Sequence, residues 1–177
     1  YALGLRGASK ETIYTHWKTG QGPGKGDIFY GLDFGYVHPC AMVRVETYEG
    51  DTFVDEILYR QGMTLTEMAQ FIKSLNTGYS PIYADAAEPK SIEEIFRYGI
   101  NILPAVKDVW AGILTMKAQR LYLNGKNLIS EFGSYKWKTD KDGNVLEEPV
   151  KLNDDLCDAA RYAIHTHLEP KIQMFTF

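Results

Sequence analysis

Acidic residues at the ends of apolar segments are the feature of this chain that best fits chemistry. Asp33 ends the apolar run Asp27–Asp33, and Asp85 ends the shorter run 81–85. Ligands bind at the carboxyl ends of strands in open α/β sheets, and adjacent strands lie about 5 Å apart. If the two strands are neighbours, the two carboxylates will repel each other unless a cation neutralises them. Because Mg²⁺ and Mn²⁺ prefer oxygen ligands, the pattern predicts a divalent metal site.

The last helical segment carries further carboxylates. Asp155 and Asp158 are three residues apart and therefore share one face of a helix. For Asp154 the simpler interpretation is helix capping and a favourable interaction with the helix dipole, with Asn153 or Asp154 as the cap. Asp158 lies beyond the first turn among small apolar residues, where an unpaired carboxylate is costly. Asp158 therefore joins the two strand-end aspartates as a candidate ligand.

The apolar pattern predicts a mixed α/β fold that positions these acids. Three strands come first, and the turn at 48–51 favours an antiparallel hairpin between the second and third. Strands and helices then alternate, and a helix ends the fold, unlike the strict alternation of a doubly wound sheet. The predicted elements are strands 27–33, 40–47 and 52–60, a helix from Thr64 or Thr66 to Leu75, strand 81–85, a helix from Pro89, strand 100–106, helix 109–118, strand 120–123, a hairpin joining 135–138 to 144–146, and helix 154–167.

Length and composition limit the possible classes of protein. The 177 residues predict one domain, and 45% hydrophobic with 24% charged residues is typical of a globular protein. No apolar run is long enough to span a membrane, and no signal peptide is visible. The net charge of −4 argues against a surface that binds nucleic acid everywhere, but permits a local basic stripe. Cys40 and Cys157 are predicted to be free, buried thiols in a reducing cytoplasm.

The glycine-rich segment 20–26 is predicted to be a flexible connector. It lacks the phosphate-binding loop pattern, because Lys25 is followed by Gly26 where Ser or Thr is required. Nucleotide binding is therefore not expected there.

Taken together, these motifs resemble the C-terminal nuclease domain of large terminase subunits from tailed bacteriophages. The resemblance covers about residues 28–168 and is carried, in order, by segments 31–35, 83–91, 135–143 and 153–163. It implies a ribonuclease H-like fold, two bound Mg²⁺ or Mn²⁺ ions, and cleavage of concatemeric viral DNA at the start and end of packaging.

The resemblance also implies roles for individual residues. Asp33 and Asp85 would be catalytic strand ligands of the metals, and Asp158 the catalytic helix ligand. Many relatives carry histidine three residues before the last aspartate, whereas this chain has Asp155, a further candidate metal ligand that makes the site more acidic. One ion would activate a water and the other would stabilise the leaving oxygen of the phosphodiester.

Domain organisation and partners follow from the same resemblance. Residues 1–26 would be the end of a preceding motor domain and a linker, 27–170 the nuclease domain, and 171–177 a tail. The implied partners are double-stranded DNA, an N-terminal ATPase motor of the same polypeptide, the portal and the small terminase subunit, with no membrane. A viral protein of this kind would act in the host cell cytoplasm.

Basic residues supply candidate DNA contacts. Lys136 and Lys138 flank Trp137 in the predicted hairpin, and Lys90 and Lys107 are further candidates. The alternative is a solvated hairpin whose tryptophan packs on the core. A resolvase- or transposase-type nuclease of the same fold, and a non-cleaving docking module of the packaging machine, remain as alternative functions. Clustered, mutually repelling acids argue against the docking module.

Overall fold

A mixed sheet of seven strands forms the centre of residues 10–169, the part of the chain that this computed structural model describes. The strands are β1 (Lys18–Thr19), β2 (Asp27–Asp33), β3 (Cys40–Tyr48), β4 (Asp51–Arg60), β5 (Ile82–Ala84), β6 (Ile102–Pro104), β7 (Arg120–Asn124), β8 (Trp137–Thr139) and β9 (Val145–Pro149). The helices are α1 (Leu65–Ser74), α2 (Pro89–Phe96), α3 (Val109–Lys117), α4 (Lys126–Ser134) and α5 (Asp155–Leu168). Strands β8 and β9 form a separate hairpin.

The order of the strands confirms the predicted mixed topology. The sheet runs β1-β7-β4-β3-β2-β5-β6. Strands β2, β3 and β4 are antiparallel, whereas β5 pairs parallel with β2, β6 with β5, and β7 with β4. In the β2–β5 pair, Leu32 lies opposite Ala84. Asp33 and Asp85 therefore leave the sheet at the same edge.

Helices cover both faces of the sheet, and the side chains of β2 divide between them with the strand period of two. Tyr30 and Leu32 belong to the core beneath α1 and α2, whereas Phe29 belongs to the core beneath α3, α4 and α5. The same alternation places Tyr83 of β5 in the core beneath α5. Because alternate residues of a strand share a face, Asp33 and Asp85 lie on the face of the sheet that α5 covers.

Helix α5 lies directly against β2 because the contact surface consists of small residues. Gly31 has no side chain, and a Cβ atom there would lie 1.8 Å from the carbonyl oxygen of Ala159 and 3.0 Å from the Cβ of Ala163. Ala159, Ala160 and Ala163 are all fully buried, as their small size predicted. The close approach brings the first turns of α5 to the edge of the sheet where β2 and β5 end.

Two elements were not predicted from the sequence. Helix α4 begins after Gly125 without a capping side chain, and it contains Gly133, a poor helix former, so its sequence gives no clear helix start signal. It is held by tertiary packing, since Leu128 and Phe132 are buried in the core beneath α5. Strand β1 has only two residues and pairs with β7.

The segment before β2 is packed against the domain. Ile13 and Tyr14 are buried in the main core, and the backbone N–H groups of Gly24, Lys25 and Gly26 donate to the carboxylate of Glu46 at 3.1, 2.8 and 2.9 Å. The segment therefore differs from the flexible connector that was expected, because the buried carboxylate of Glu46 on β3 accepts hydrogen bonds from three of its backbone N–H groups. Assignment of residues 1–26 to a motor domain and linker, and of 171–177 to a tail, stays a prediction. Residues 1–9 and 170–177 lie outside the described part.

The expected state of the two cysteines is met. Cys40 and Cys157 are free and buried. Between residues 10 and 169, no helix has the length and apolar character that crossing a membrane requires.

We expect Gly31→Ala to destabilise the fold, because the added methyl group would overlap the backbone of α5. Overpacking of this kind costs about 1–3 kcal/mol of unfolding free energy. Urea unfolding followed by circular dichroism measures the effect. The matched control is Gly133→Ala on α4, where a Cβ meets no atom within 4 Å and should stabilise the helix by up to about 1 kcal/mol. Equal stability of Gly31→Ala and the native chain would contradict this account of the contact.

Candidate metal centre

The two strand-end aspartates meet at one edge of the sheet, as predicted. Asp33 is the last residue of β2, and Asp85 follows β5 directly. Both are partly buried. Oδ1 of Asp85 accepts a hydrogen bond from the backbone N–H of Ala87 at 2.9 Å and lies 3.7 Å from Nζ of Lys107.

Helix α5, which packs against β2, carries the third aspartate at this edge of the sheet. Asp158 is buried, with 6% of its surface exposed. Its Oδ1 accepts from Nη2 of Arg161 at 3.0 Å, and its Oδ2 from Nζ of Lys151 at 3.3 Å. Arg161 therefore pairs with an acid of its own helix.

Asp154 is the N-cap residue of α5, one of the two predicted alternatives, but the hydrogen bonds that cap this helix come from another helix. Asp154 occupies the N-cap position, but its side chain makes no capping hydrogen bond. Its φ and ψ of −123° and 6° depart from extended N-cap geometry. Instead, Oε2 of Glu131 on α4 accepts from the N–H groups of Leu156 at 2.7 Å and Cys157 at 3.1 Å.

Glu131 was missed by the sequence analysis. It lies in an unpredicted helix, and only the fold brings it to the start of α5, 25 residues further along the chain. Burial raises the pKa of Glu131 to about 7, although the two backbone hydrogen bonds oppose this shift. By capping the first turn, Glu131 orients the helix that carries Asp155 and Asp158.

The edge of the sheet has a strong excess of buried negative charge. Burial is the largest cause that raises the pKa of Asp33 to about 9, followed by the charges of Asp158, Asp155, Asp85 and Asp154. Burial likewise raises the pKa of Asp154 and Asp155. The shifts show that the predicted aspartates lie within electrostatic range of one another.

Cations surround this cluster and hold some of its carboxylates. Lys107 contacts Asp85, and Arg161 contacts Asp158. Lys151, which the sequence analysis missed, lies 3.4 Å from Oδ2 of Asp154 and 3.3 Å from Oδ2 of Asp158. Burial lowers the pKa of Lys151, but the two carboxylates outweigh it and hold the pKa above its usual value.

In this arrangement, no three His, Cys, Asp or Glu side chains within residues 10–169 are grouped so that they could hold a metal ion. Asp85 and Asp158 are turned toward Lys107, Lys151 and Arg161 instead. The donor set nevertheless fits a divalent cation, because it consists of carboxylate oxygens, the ligands of hard ions. Asp33 in particular carries a repulsive cost that a bound cation would remove.

Two clefts adjoin the aspartates. One, of about 590 Å³, is lined by residues that include His38, Arg60, Asp154 and Asp155. The other, of about 330 Å³, is lined by Asp85, Lys107, Val109, Lys151, Arg161 and Tyr162. Lys151 lines both clefts.

The predicted DNA-contacting lysines occupy different places. Lys107 lies beside Asp85, and Lys90 is exposed in the first turn of α2. Lys136 is exposed just before β8, and Lys138 on β8 forms an ion pair with Glu148 across the hairpin. The structure thus brings only Lys107 to the aspartates. A DNA contact by any of these lysines stays a prediction.

Trp137 packs between the hairpin and the core. Its side chain is largely buried, and its ring centroid lies 5.6 Å from that of Trp110 on α3. This matches the alternative in which the tryptophan belongs to the core.

Residues 33–166, which contain all four predicted metal ligands, match the family described as Terminase RNAseH like domain. The chain belongs to this terminase family. It is 26% identical to the terminase large subunit of Bacillus phage SPP1 in an alignment 156 residues long, which covers 81% of this chain and 37% of that protein. The chain therefore spans little more than a third of this curated relative.

Solved structures of terminase nuclease domains share the fold. The nuclease domain of the SPP1 large terminase g2p with bound Mn superimposes with a TM-score of 0.75 at 25% identity, covering 86% of this chain and 97% of that one. The large terminase nuclease of thermophilic phage G20c with bound cobalt gives a TM-score of 0.67 at 17% identity, covering 88% and 97%. The ribonuclease H-like fold predicted from the sequence is confirmed.

In the metal-free protein, we expect Asp33→Asn to raise stability. The carboxyl group titrates near 3.9 in an unfolded chain but at about 9 in the fold. The penalty therefore appears as the pH rises above about 4 and increases toward pH 9, so Asn should stabilise by about 1 kcal/mol or more at pH 8 and by less at pH 5. Urea unfolding in EDTA at both pH values measures this.

The control for that experiment is Asp142→Asn, which removes the same charge from an exposed residue of the hairpin tip. We expect little change in its stability at either pH. An Asp33→Asn protein that is less stable than the native chain at pH 8 would show that the carboxylates do not repel as described.

Proposed function

We propose that the chain is a metal-dependent DNA endonuclease domain that cuts concatemeric viral DNA during genome packaging. The observation that carries this proposal is the meeting of Asp33, Asp85 and Asp158 at one sheet edge in a terminase-family fold. Two structures of relatives, described as terminase nucleases with bound Mn and with bound cobalt, support the dependence on a divalent metal.

Asp33, Asp85 and Asp158 would hold two Mg²⁺ or Mn²⁺ ions, and Asp155 is the further ligand that replaces the histidine expected in many relatives. Bound there, the ions would supply an activated water and stabilise the oxygen that leaves the phosphodiester. Asp33 is suited to the central position because burial, and then the charges of four other carboxylates, raise its pKa.

The groups around the aspartates orient them. The buried guanidinium of Arg161 fixes one oxygen of Asp158, and Glu131 fixes the first turn of α5. Lys107 lines the smaller cleft beside Asp85, which supports its proposed contact to a DNA phosphate. Lys90, Lys136 and Lys138 are proposed to contact the backbone farther from the cleaved bond.

The whole protein is proposed to include an N-terminal ATPase motor and to work with the portal and the small terminase subunit in the host cytoplasm. The length of the SPP1 relative, of which this chain spans 37%, leaves room for such a motor. Family membership favours the terminase role over a resolvase or transposase role. A docking module without cleavage would gain nothing from the buried, mutually repelling aspartates.

Incubation of the purified chain with supercoiled plasmid tests the proposal. With Mn²⁺ or Mg²⁺ we expect nicking and linearisation, and we expect EDTA to abolish both. Asp85→Ala and Asp33→Asn should lower the rate by at least about 100-fold, because each removes a ligand for the ions that stabilise the transition state.

The matched control is Glu94→Ala, which removes an exposed carboxylate from α2. Its cleavage rate should equal that of the native chain. Intact plasmid under every metal condition, or equal cleavage by Asp33→Asn with Mn²⁺ present, would contradict the proposed function.

A further inference from the structure

Lys151 is held in place by the connection between the hairpin and α5. This connection begins after Pro149, and the N–H of Val150 donates to the carbonyl of Lys136 at 2.9 Å, which anchors it to the hairpin. At its other end, Asn153 has a left-handed φ of 49° and turns the chain into α5. The position of Lys151 beside the aspartates is therefore fixed by the backbone at both ends.

The ammonium group of Lys151 bridges two acids of the cluster. Its Nζ lies 3.4 Å from Oδ2 of Asp154 and 3.3 Å from Oδ2 of Asp158. The second oxygen of Asp158 is held by Arg161. In the metal-free arrangement, Lys151 thus supplies a positive charge where carboxylates converge.

Lys151 differs from Arg161 in its freedom to move. The side chain of Arg161 is 3% exposed, whereas that of Lys151 is 60% exposed. Lysine carries a compact charge on a flexible four-carbon stem, and exposed ion pairs add little to stability. A divalent cation can therefore replace Lys151 as the partner of the Asp154 and Asp158 carboxylates at little cost to the stability of the fold.

Lys151 also lies where substrate would pass. It lines both the cleft that contains Arg60 and the cleft that contains Lys107, and Asp85 lies in the second. A strand that follows the two clefts past the aspartates must pass this ammonium group. The negative charges of a DNA strand are on its phosphate oxygens, which the ammonium group of Lys151 can bind.

We propose that Lys151 is both a built-in counter-ion of the metal-free aspartates and a contact to the DNA phosphate during cleavage. Divalent cations displace its ammonium group from Asp154 and Asp158, and the released group then binds the strand in the clefts. This inference rests on the proposed nuclease function.

The two roles predict opposite changes in one variant. In Lys151→Met, Mn²⁺ should bind at least about fivefold more tightly, because a competing positive charge a few Å away is removed. At saturating Mn²⁺, plasmid cleavage should nevertheless fall by at least about tenfold, because a charge that stabilises the phosphate is lost. Isothermal titration calorimetry and the cleavage rate give the two readouts.

Lys126→Met is the matched control, since Lys126 is exposed at the start of α4 and lines neither cleft. It should leave Mn²⁺ affinity and cleavage unchanged. Thermal unfolding in EDTA shows whether both variants fold, and we expect midpoints close to that of the native chain. A purely structural Lys151 would lower stability and weaken metal binding and cleavage together.

The native chain separates the two proposals. If it neither binds Mn²⁺ nor cleaves, the nuclease proposal fails, and this inference fails with it. If it binds and cleaves, unchanged or weaker Mn²⁺ binding by Lys151→Met overturns the counter-ion role, and cleavage at the native rate overturns the phosphate contact.

Discussion

The contact between α5 and β2 is the constraint on which the candidate site depends. A helix can lie this close to a sheet only where neither surface carries large side chains, and Gly31 opposite Ala159 meets that condition. The approach brings Asp158 down to the edge where β2 and β5 present Asp33 and Asp85. A bulkier residue at this contact would move one aspartate away from the other two.

Charge balance is the second constraint, and it opposes the stability of the fold. Burial and neighbouring carboxylates make ionisation of Asp33 unfavourable, while Lys107, Lys151 and Arg161 neutralise part of the cluster. Perturbed carboxylates gathered beside clefts are typical of functional sites, where stability is given up for chemistry. Glu131 adds to the cost, because a buried acid caps the helix that carries Asp158.

The strand-end aspartates were predictable because each one ends an apolar run, and this pattern is visible in the sequence without knowledge of the fold. Asp158 was predictable from its alanine neighbours, which match the close approach to β2. Glu131 and Lys151 were not predictable. Their roles arise from contacts between segments that are distant in sequence, and α4 was not recognised as a helix because it begins after Gly125 without a capping side chain. The same limit explains why the capping of α5 by Glu131 was not predicted.

The most direct test of the central claim is a crystal of the chain soaked in Mn²⁺ and examined by anomalous diffraction. We expect anomalous peaks coordinated by the carboxylates of Asp33, Asp85 and Asp158, with these side chains turned toward the ions. Peaks located only elsewhere, or no peak at Mn²⁺ concentrations that support cleavage, would contradict a metal centre at this edge of the sheet.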